Sequence, residues 1–431
     1  MELKVEKLIY GGDGLARLPP DEGGPGKAVF LPFVLEGERV EAVMSEQRVG
    51  FSRVRATKIL EKSEHRVEPG CPYFLNCGGC HYQHSSYEHQ LEIKASVLRE
   101  NLKRIAKLEL VCPLKVHSSP PWNYRNRTRM RVRTQPDFAL GYFRRGSYDL
   151  LPVEECPISS PLINRGIKTL WEAARSGRCD SRLREIEFFA DAHDQQLLIE
   201  AFCPAGTTSS EATRMAQSVK ESLPLASGVT VFPSFSGINP NSEPEPLAYA
   251  GTGYLEYKTE GATYRVSAGS FFQTNRHLTD ELVRIVTQGR SGRTALDLYA
   301  GVGLFSAVLS REFERIIAVE SSLRAHSDLA YNVPANVKPV RAAVQQYLHK
   351  GGRLRADRIV VDPPRGGLGK DVAQHLGTIK AKELVYVSCD PATLARDLVP
   401  LQASGYHISE AHLVDLFPQT FHLETVLYLV R

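Results

Sequence analysis

The chain has 431 residues, a formal net charge of +4 and a hydrophobic fraction of 42%. That is ordinary for a globular protein and enough for more than one core, so roughly two or three domains are expected. No stretch of about 18 apolar residues occurs, which argues against a membrane-spanning helix. The start, Met1-Glu2-Leu3-Lys4, lacks a charged-then-apolar signal region, and a cytoplasmic location is expected.

Residues 1–58 read as short strands broken by glycine. Tyr10-Gly11-Gly12-Asp13-Gly14 and Asp21-Glu22-Gly23-Gly24-Pro25-Gly26 are turn clusters, and Val29-Phe30-Leu31-Pro32 and Glu38 to Val43 are strand-formers. The spacing predicts a small antiparallel β-barrel, which could equally be a spacer.

Residues 59–265 are read as a mixed α+β region. Cys71, Cys77 and Cys80 follow the pattern C-x5-C-x2-C, with Gly78 and Gly79 permitting a tight wrap, and Cys156 is the fourth candidate ligand. Four thiolates suit zinc or an iron–sulfur cluster, and spacing does not decide between them. Without a secretory signal, disulfides are a poor default. Cys112, Cys179 and Cys203 lack partner spacing and are read as packing residues. A helix over 86–108 follows the cysteines, because Leu91, Ala95, Leu98, Leu102 and Ile105 share one face. This helix is a candidate to pack on the C-terminal domain. Arg125, Arg127, Arg129, Arg131 and Arg133 alternate, so in a strand they share a face at intervals of about 6 to 7 Å. Such crowding calls for anions. RNA phosphates are the preferred reading, a solvated face with internal salt bridges the bland one. Ser234 to Pro246 reads as a loop.

From residue 266 to 431 apolar runs alternate with helical stretches. Candidate strands are Thr294 to Tyr299, Arg315 to Glu320, Asp357 to Asp362, Glu383 to Ser388 and Thr425 to Val430. The pattern predicts a doubly wound parallel sheet of Rossmann-like type. Tyr299-Ala300-Gly301-Val302-Gly303 links a strand to a helix, and Glu320 ends the next strand, where it can bond ribose hydroxyls. The third glycine of a dinucleotide loop is replaced by Ser306, which suits a cofactor without a pyrophosphate. Cys389 ends another strand beside Asp390-Pro391, a good helix start whose partial charge favours thiolate. Asp362 and Glu424 bring carboxylates to the same edge.

Four strings carry a resemblance. Ser388-Cys389-Asp390-Pro391, Phe417-Pro418-Gln419-Thr420-Phe421-His422-Leu423-Glu424, Ser270-Phe271-Phe272-Gln273-Thr274-Asn275 and Asp362-Pro363-Pro364-Arg365 resemble the signatures of the RNA 5-methyluridine methyltransferase family. The resemblance implies S-adenosylmethionine as methyl donor and Cys389 as a nucleophile adding to carbon 6 of uracil. It implies Glu424 as the base that removes the carbon-5 proton. Gln273, Tyr299, Glu320 and Asp362 would hold the cofactor, and Phe271 would touch the target base. The N-terminal segment resembles a TRAM domain, an RNA-binding barrel. Relatives with this barrel and a cysteine cluster mostly act on 23S ribosomal RNA and some on transfer RNA, and the resemblance favours a [4Fe–4S] cluster on Cys71, Cys77, Cys80 and Cys156. Some members carry Asn where this chain has Leu304. A monomer is expected. The competing readings are cytosine methylation at carbon 5 and a non-catalytic RNA-binding or ribosome-assembly protein.

Overall fold

The computed structural model describes residues 1–18, 26–234, 243–289, 291–350 and 354–431. Of the predicted loops, residues 21–25 of the second glycine cluster and 235–242 of the Ser234–Pro246 segment lie outside the described residues.

The N-terminal segment forms a six-stranded sheet from Glu2–Lys4, Lys7–Leu8, Asp13–Arg17, Ala28–Pro32, Arg39–Gln47 and Phe51–Glu61. Alternate residues such as Val29, Leu31, Val40 and Val54 face inward and build a core of their own. One pairing departs from the antiparallel expectation: Ala28–Pro32 runs parallel to Phe51–Glu61. Arg39–Gln47 intervenes in sequence, and its hairpin partner takes the place beside Ala28–Pro32.

The middle segment centres on a seven-stranded sheet. Its spatial order is Leu150–Pro152, Ala139–Phe143, Arg127–Arg133, Glu185–Ala190, Leu197–Cys203, Gly228–Pro233 and Ala248–Gly251. Helices Pro161–Arg175 and Ser209–Ser222 contribute to its core. Each starts as its sequence dictates: the Ser160 hydroxyl accepts from the Ile163 N–H ahead of Pro161, and Thr208 and Glu211 form a reciprocal capping box.

The C-terminal sheet has eight strands, ordered Val337–Arg341, Phe313–Glu320, Gly292–Leu298, Arg358–Val361, Glu383–Ser388, Glu424–Val430, His407–Val414 and Leu114–His117. The first five are parallel, as expected of a doubly wound sheet. Glu424–Val430 is antiparallel to both its neighbours. The outermost strand, Leu114–His117, comes from far upstream and pairs parallel to His407–Val414. It lies within the stretch read as the middle region.

The expected boundary between 265 and 266 falls inside strand Thr263–Ser267, half of the hairpin with Tyr254–Lys258. Helix Tyr87–Asn101, continued by a π-helical turn over Leu102–Ala106, also lies against the C-terminal sheet. Its Leu98 and Leu102 share a core with Leu394, Leu398 and Leu401. Residues 87–117 are thus built into the C-terminal layer because their apolar face is completed there, not in the seven-stranded sheet.

Candidate active site

Strand register brings the site together. Arg358–Val361 pairs on one side with Gly292–Leu298 and on the other with Glu383–Ser388, so Tyr299, Asp362 and Cys389 follow three adjacent parallel strands at one edge. Thr425 faces Ser388 across the antiparallel pair, which sets Glu424 beside Cys389 at the same edge. Ligand and catalytic groups collect at this carboxyl edge in open α/β sheets.

Asp390 caps helix Pro391–Ala403, its Oδ1 accepting from the N–H groups of Ala392 and Thr393, each at 2.9 Å. The local positive end of that helix led to an expectation of thiolate at Cys389. The structure reverses it: burial, then Glu424 and Asp362, push the thiol up to about 12, and Arg365 only partly opposes them. Desolvation and two nearby carboxylates outweigh one helix end. The carboxyls respond in kind. Burial and Asp297 raise Asp362 to about 7, and burial with Asp362 holds Glu424 well above the usual carboxylate range. Asp297 is itself raised to about 6 by burial.

The loop after Gly292–Leu298 has positive φ at Tyr299 (65°), Gly301 (55°) and Gly303 (92°). A Cβ on Gly301 would meet nothing within 4 Å, so the backbone there faces open space. Glu320 braces the loop, accepting from the N–H groups of Gly301 at 2.9 Å and Ser322 at 2.7 Å. Ser306, at the missing third glycine, donates its hydroxyl to Asp297. Leu304 is buried, and its carbonyl accepts from the Tyr264 hydroxyl at 2.9 Å.

The segment carrying Phe271 and Gln273 is pinned from several sides. The Gly269 N–H donates to Glu200 at 2.7 Å, Arg127 donates to the Ser270 carbonyl, and the Asn275 amide donates to Leu416 O at 3.1 Å. Gln273 is buried, whereas Phe271 is 67% exposed.

Residues 415–424 are anchored by side chains that the sequence reading passed over. Lys94 is buried and donates to Asp415 at 2.5 Å and to Phe417 O at 2.9 Å. Tyr87 donates to Asp415 at 2.9 Å, and Tyr124 to Pro418 O at 3.0 Å. Gln90 accepts from the Gln419 N–H at 2.9 Å and donates to its side chain at 3.0 Å. Gln419, at φ 67°, accepts at its carbonyl from the N–H groups of His81 and Tyr82. The one available signal was a lysine and a glutamine within the apolar arc of a helix.

The alternating arginines are answered by the protein. Arg127 pairs with Glu187 and Glu200, and Arg129 and Arg131 each pair with Glu185 at 2.6 Å. Glu185 and Glu187 lie opposite Arg131 and Arg129 on the neighbouring strand, so cross-strand register supplies the anions that RNA phosphates were expected to supply. Arg125 donates to the Arg127 carbonyl and Arg133 to that of Asp137.

Cys71, Cys77, Cys80 and Cys156 line one cavity of about 230 Å³, together with Tyr73, Phe74, Gln83 and Tyr142. All are free thiols. Cys203 is buried, and Cys112 and Cys179 pack against separate cores. The described His, Cys, Asp and Glu groups whose ligand atoms gather within 4.8 Å are His65/His89/Glu92 and His349/Asp371/His375, neither containing a cysteine. No helix among the described residues is long and apolar enough to cross a membrane.

A family model described as tRNA (Uracil-5-)-methyltransferase matches residues 252–431. An uncharacterized RNA methyltransferase of Streptomyces avermitilis is 31% identical, over 99% of this chain and 96% of its own. One from Aquifex aeolicus is also 31% identical, over 99% and 97%. The crystal structure of Pyrococcus abyssi tRNA (uracil-54, C5)-methyltransferase in complex with S-adenosyl-L-homocysteine shares the fold over 100% of both chains, with a TM-score of 0.76 at 24% identity. The chain is thus similar over its full length to RNA methyltransferases, its residues 252–431 match the tRNA (Uracil-5-)-methyltransferase model, and it belongs to the RNA methyltransferase family.

Proposed function

We propose that the protein methylates carbon 5 of a uridine in RNA through covalent addition of Cys389 to carbon 6. The observation that carries this reading is the convergence of Cys389, Asp362 and Glu424 at one sheet edge, next to the loop braced by Glu320. The donor set fits S-adenosylmethionine. Glu320 can accept from ribose hydroxyls, and the open face at Gly301 admits a ligand against the backbone. Gln273, Tyr299, Glu320 and Asp362 would hold it, and it supplies an electrophilic methyl group.

Carbon 5 of uracil is too weak a nucleophile to take that group unaided. The Cys389 thiol loses its proton to solvent, and the thiolate bonds to carbon 6 as the carbon 5–carbon 6 π pair shifts into an enolate, which makes carbon 5 electron-rich. Carbon 5 then takes the methyl, and Glu424 removes the remaining carbon-5 proton as the carbon–sulfur bond breaks and the thiolate leaves. A base with its affinity for protons raised by burial is suited to that last step. Neutral His422, lowered to about 3 by burial and by Arg365, adds no competing positive charge beside it.

The N-terminal sheet is read as an RNA-binding unit of TRAM type, residues 1–58. The cluster-bearing middle unit extends from 59 to about 265 without residues 87–117, which join the catalytic unit. The four cysteines fit a [4Fe–4S] cluster better than zinc. One tetrahedral zinc with bonds of about 2.3 Å draws its sulfurs within about 4 Å of one another. These four instead surround a cavity of about 230 Å³ and form no group within 4.8 Å. The favoured substrate is 23S ribosomal RNA. Transfer RNA is the second reading, supported by the named substrate of the Pyrococcus abyssi enzyme that shares the fold.

Labelled methyl transfer into total RNA, followed by nucleoside analysis, tests the proposal. Wild type should yield 5-methyluridine and Cys389→Ala none, with cofactor binding retained. Turnover by Cys389→Ala would reject the covalent route, and 5-methylcytidine as the product would reject the substrate.

A further inference from the structure

Beyond the site itself, one side chain reaches it from the N-terminal sheet. Tyr10 lies in the turn between strands Lys7–Leu8 and Asp13–Arg17, 379 residues before the thiol in sequence. Its hydroxyl reaches the carbonyl of Cys389 at 3.4 Å and also bonds the side chain of the next residue, Asp390. Its ring meets Phe421 edge-on, with centroids 5.3 Å apart at 89°. Phe421 lies three residues before Glu424, so a single tyrosine touches both strand ends that face each other in the proposed mechanism.

The turn that carries Tyr10 is built to hold it still. The Ile9 N–H donates to Asp13 O at 3.0 Å, and the Gly12 N–H to Ile9 O at 3.1 Å. Asp13 is tied by Arg53 at 3.0 Å and by Arg145 of the middle segment at 2.9 Å. Gly12, at φ 90°, would bring a Cβ to 3.0 Å from that of His81, so a larger residue would lift the turn off the cysteine segment. On its inner side Leu8 shares a core with Tyr82, Leu413 and Leu423. Three parts of the chain thus close on Tyr10 independently of its hydroxyl.

We propose that Tyr10 is a positioning residue for methyl transfer. Through the Cys389 carbonyl and the Phe421 ring it fixes the strand end that carries the nucleophile against the loop that carries the base. This rests on the assignment of Cys389 and Glu424 above. It implies that the seating of the N-terminal sheet, the proposed RNA-binding unit, sets the geometry of the reacting pair.

The test is the single-turnover rate of adduct formation with RNA containing 5-fluorouridine, measured on the full chain. Tyr10→Phe keeps the ring contact and removes the hydroxyl. Adduct formation should slow by about 3- to 10-fold, the effect of one neutral hydrogen bond, while KM for RNA and for S-adenosylmethionine stays within about twofold. Asp13→Asn, which loosens the turn at a distance, should slow the same step by a smaller factor. An unchanged adduct rate in Tyr10→Phe overturns the proposal. A defect confined to KM for RNA also overturns it, because Tyr10 would then be an RNA contact. Cys389→Ala is run alongside: an adduct formed without that thiol would reject the nucleophile, whatever the Tyr10 variants do.

Discussion

At Cys389 two sequence cues point in opposite directions, and only the fold decides which wins. A helix start stabilises a thiolate, worth typically 0.3–1 kcal/mol, roughly, at such a terminus. Burial with Glu424 and Asp362 close by favours the thiol, and it prevails. The free enzyme should therefore react slowly with iodoacetamide at neutral pH. The raised value means that the thiolate fraction keeps climbing as pH rises toward about 12, so the alkylation rate at Cys389 should increase without a plateau through pH 10. Glu424→Gln removes the carboxyl whose ionised form most opposes ionisation of the thiol. It should speed alkylation at pH 8 by several-fold, and an unchanged rate would show that Glu424 does not govern the thiol. Replacing Arg365, which lowers the thiol, should do the reverse.

Elements differ in how much of their role the sequence disclosed. The five expected strands of the C-terminal sheet all form, within one or two residues at their ends, because each is a short apolar run closed by a turn or helix signal. Val337–Arg341, His407–Val414 and Leu114–His117 carried weaker patterns, and the last is placed by pairing with a strand nearly 300 residues away, which local pattern cannot encode. The alternating arginines were legible as a strand face, but their partners Glu185, Glu187 and Glu200 depend on cross-strand register. Cys389 and Glu424 could be named because long strings surround them; Lys94 could not, because its partner is 321 residues away. That ion pair gives the most direct test at this scale. Removing one partner of a buried pair leaves the other charge without an answer, which costs about 3–5 kcal/mol. Lys94→Ala should lower the unfolding free energy by about that much, and should cost activity even at temperatures where the protein remains folded, since residues 415–424 lose their main anchor. A loss below about 1 kcal/mol in urea titration would show that the pair is not a principal brace.

Across the whole molecule, three parts of the chain meet around one loop. The N-terminal sheet reaches it through Tyr10, the cysteine segment through the N–H groups of His81 and Tyr82 next to Cys80, and the middle segment through Tyr124. The cysteine cavity is thus joined to the proposed base by a short run of backbone. Protein isolated without oxygen should carry about four iron and four sulfide per chain, and Cys80→Ala should lose most of both. Stoichiometric zinc without sulfide would contradict this. Because the His81 and Tyr82 hydrogen bonds to Gln419 adjoin Cys80, loss of the cluster should also lower the protection of the Gln419 region against hydrogen exchange.

The central claim is that Cys389 adds first and Glu424 acts last. It is tested most directly with Glu424→Gln and RNA carrying tritium at carbon 5 of uridine. The glutamine keeps the size of the side chain and removes its basicity, so addition and methyl transfer should proceed while proton removal stalls. The predicted result is methyl incorporated into an enzyme–RNA adduct that survives a denaturing gel, with the tritium retained. Failure of both methyl incorporation and tritium release, with no adduct accumulating, would contradict the account and leave Glu424 as a group that only orients the uracil.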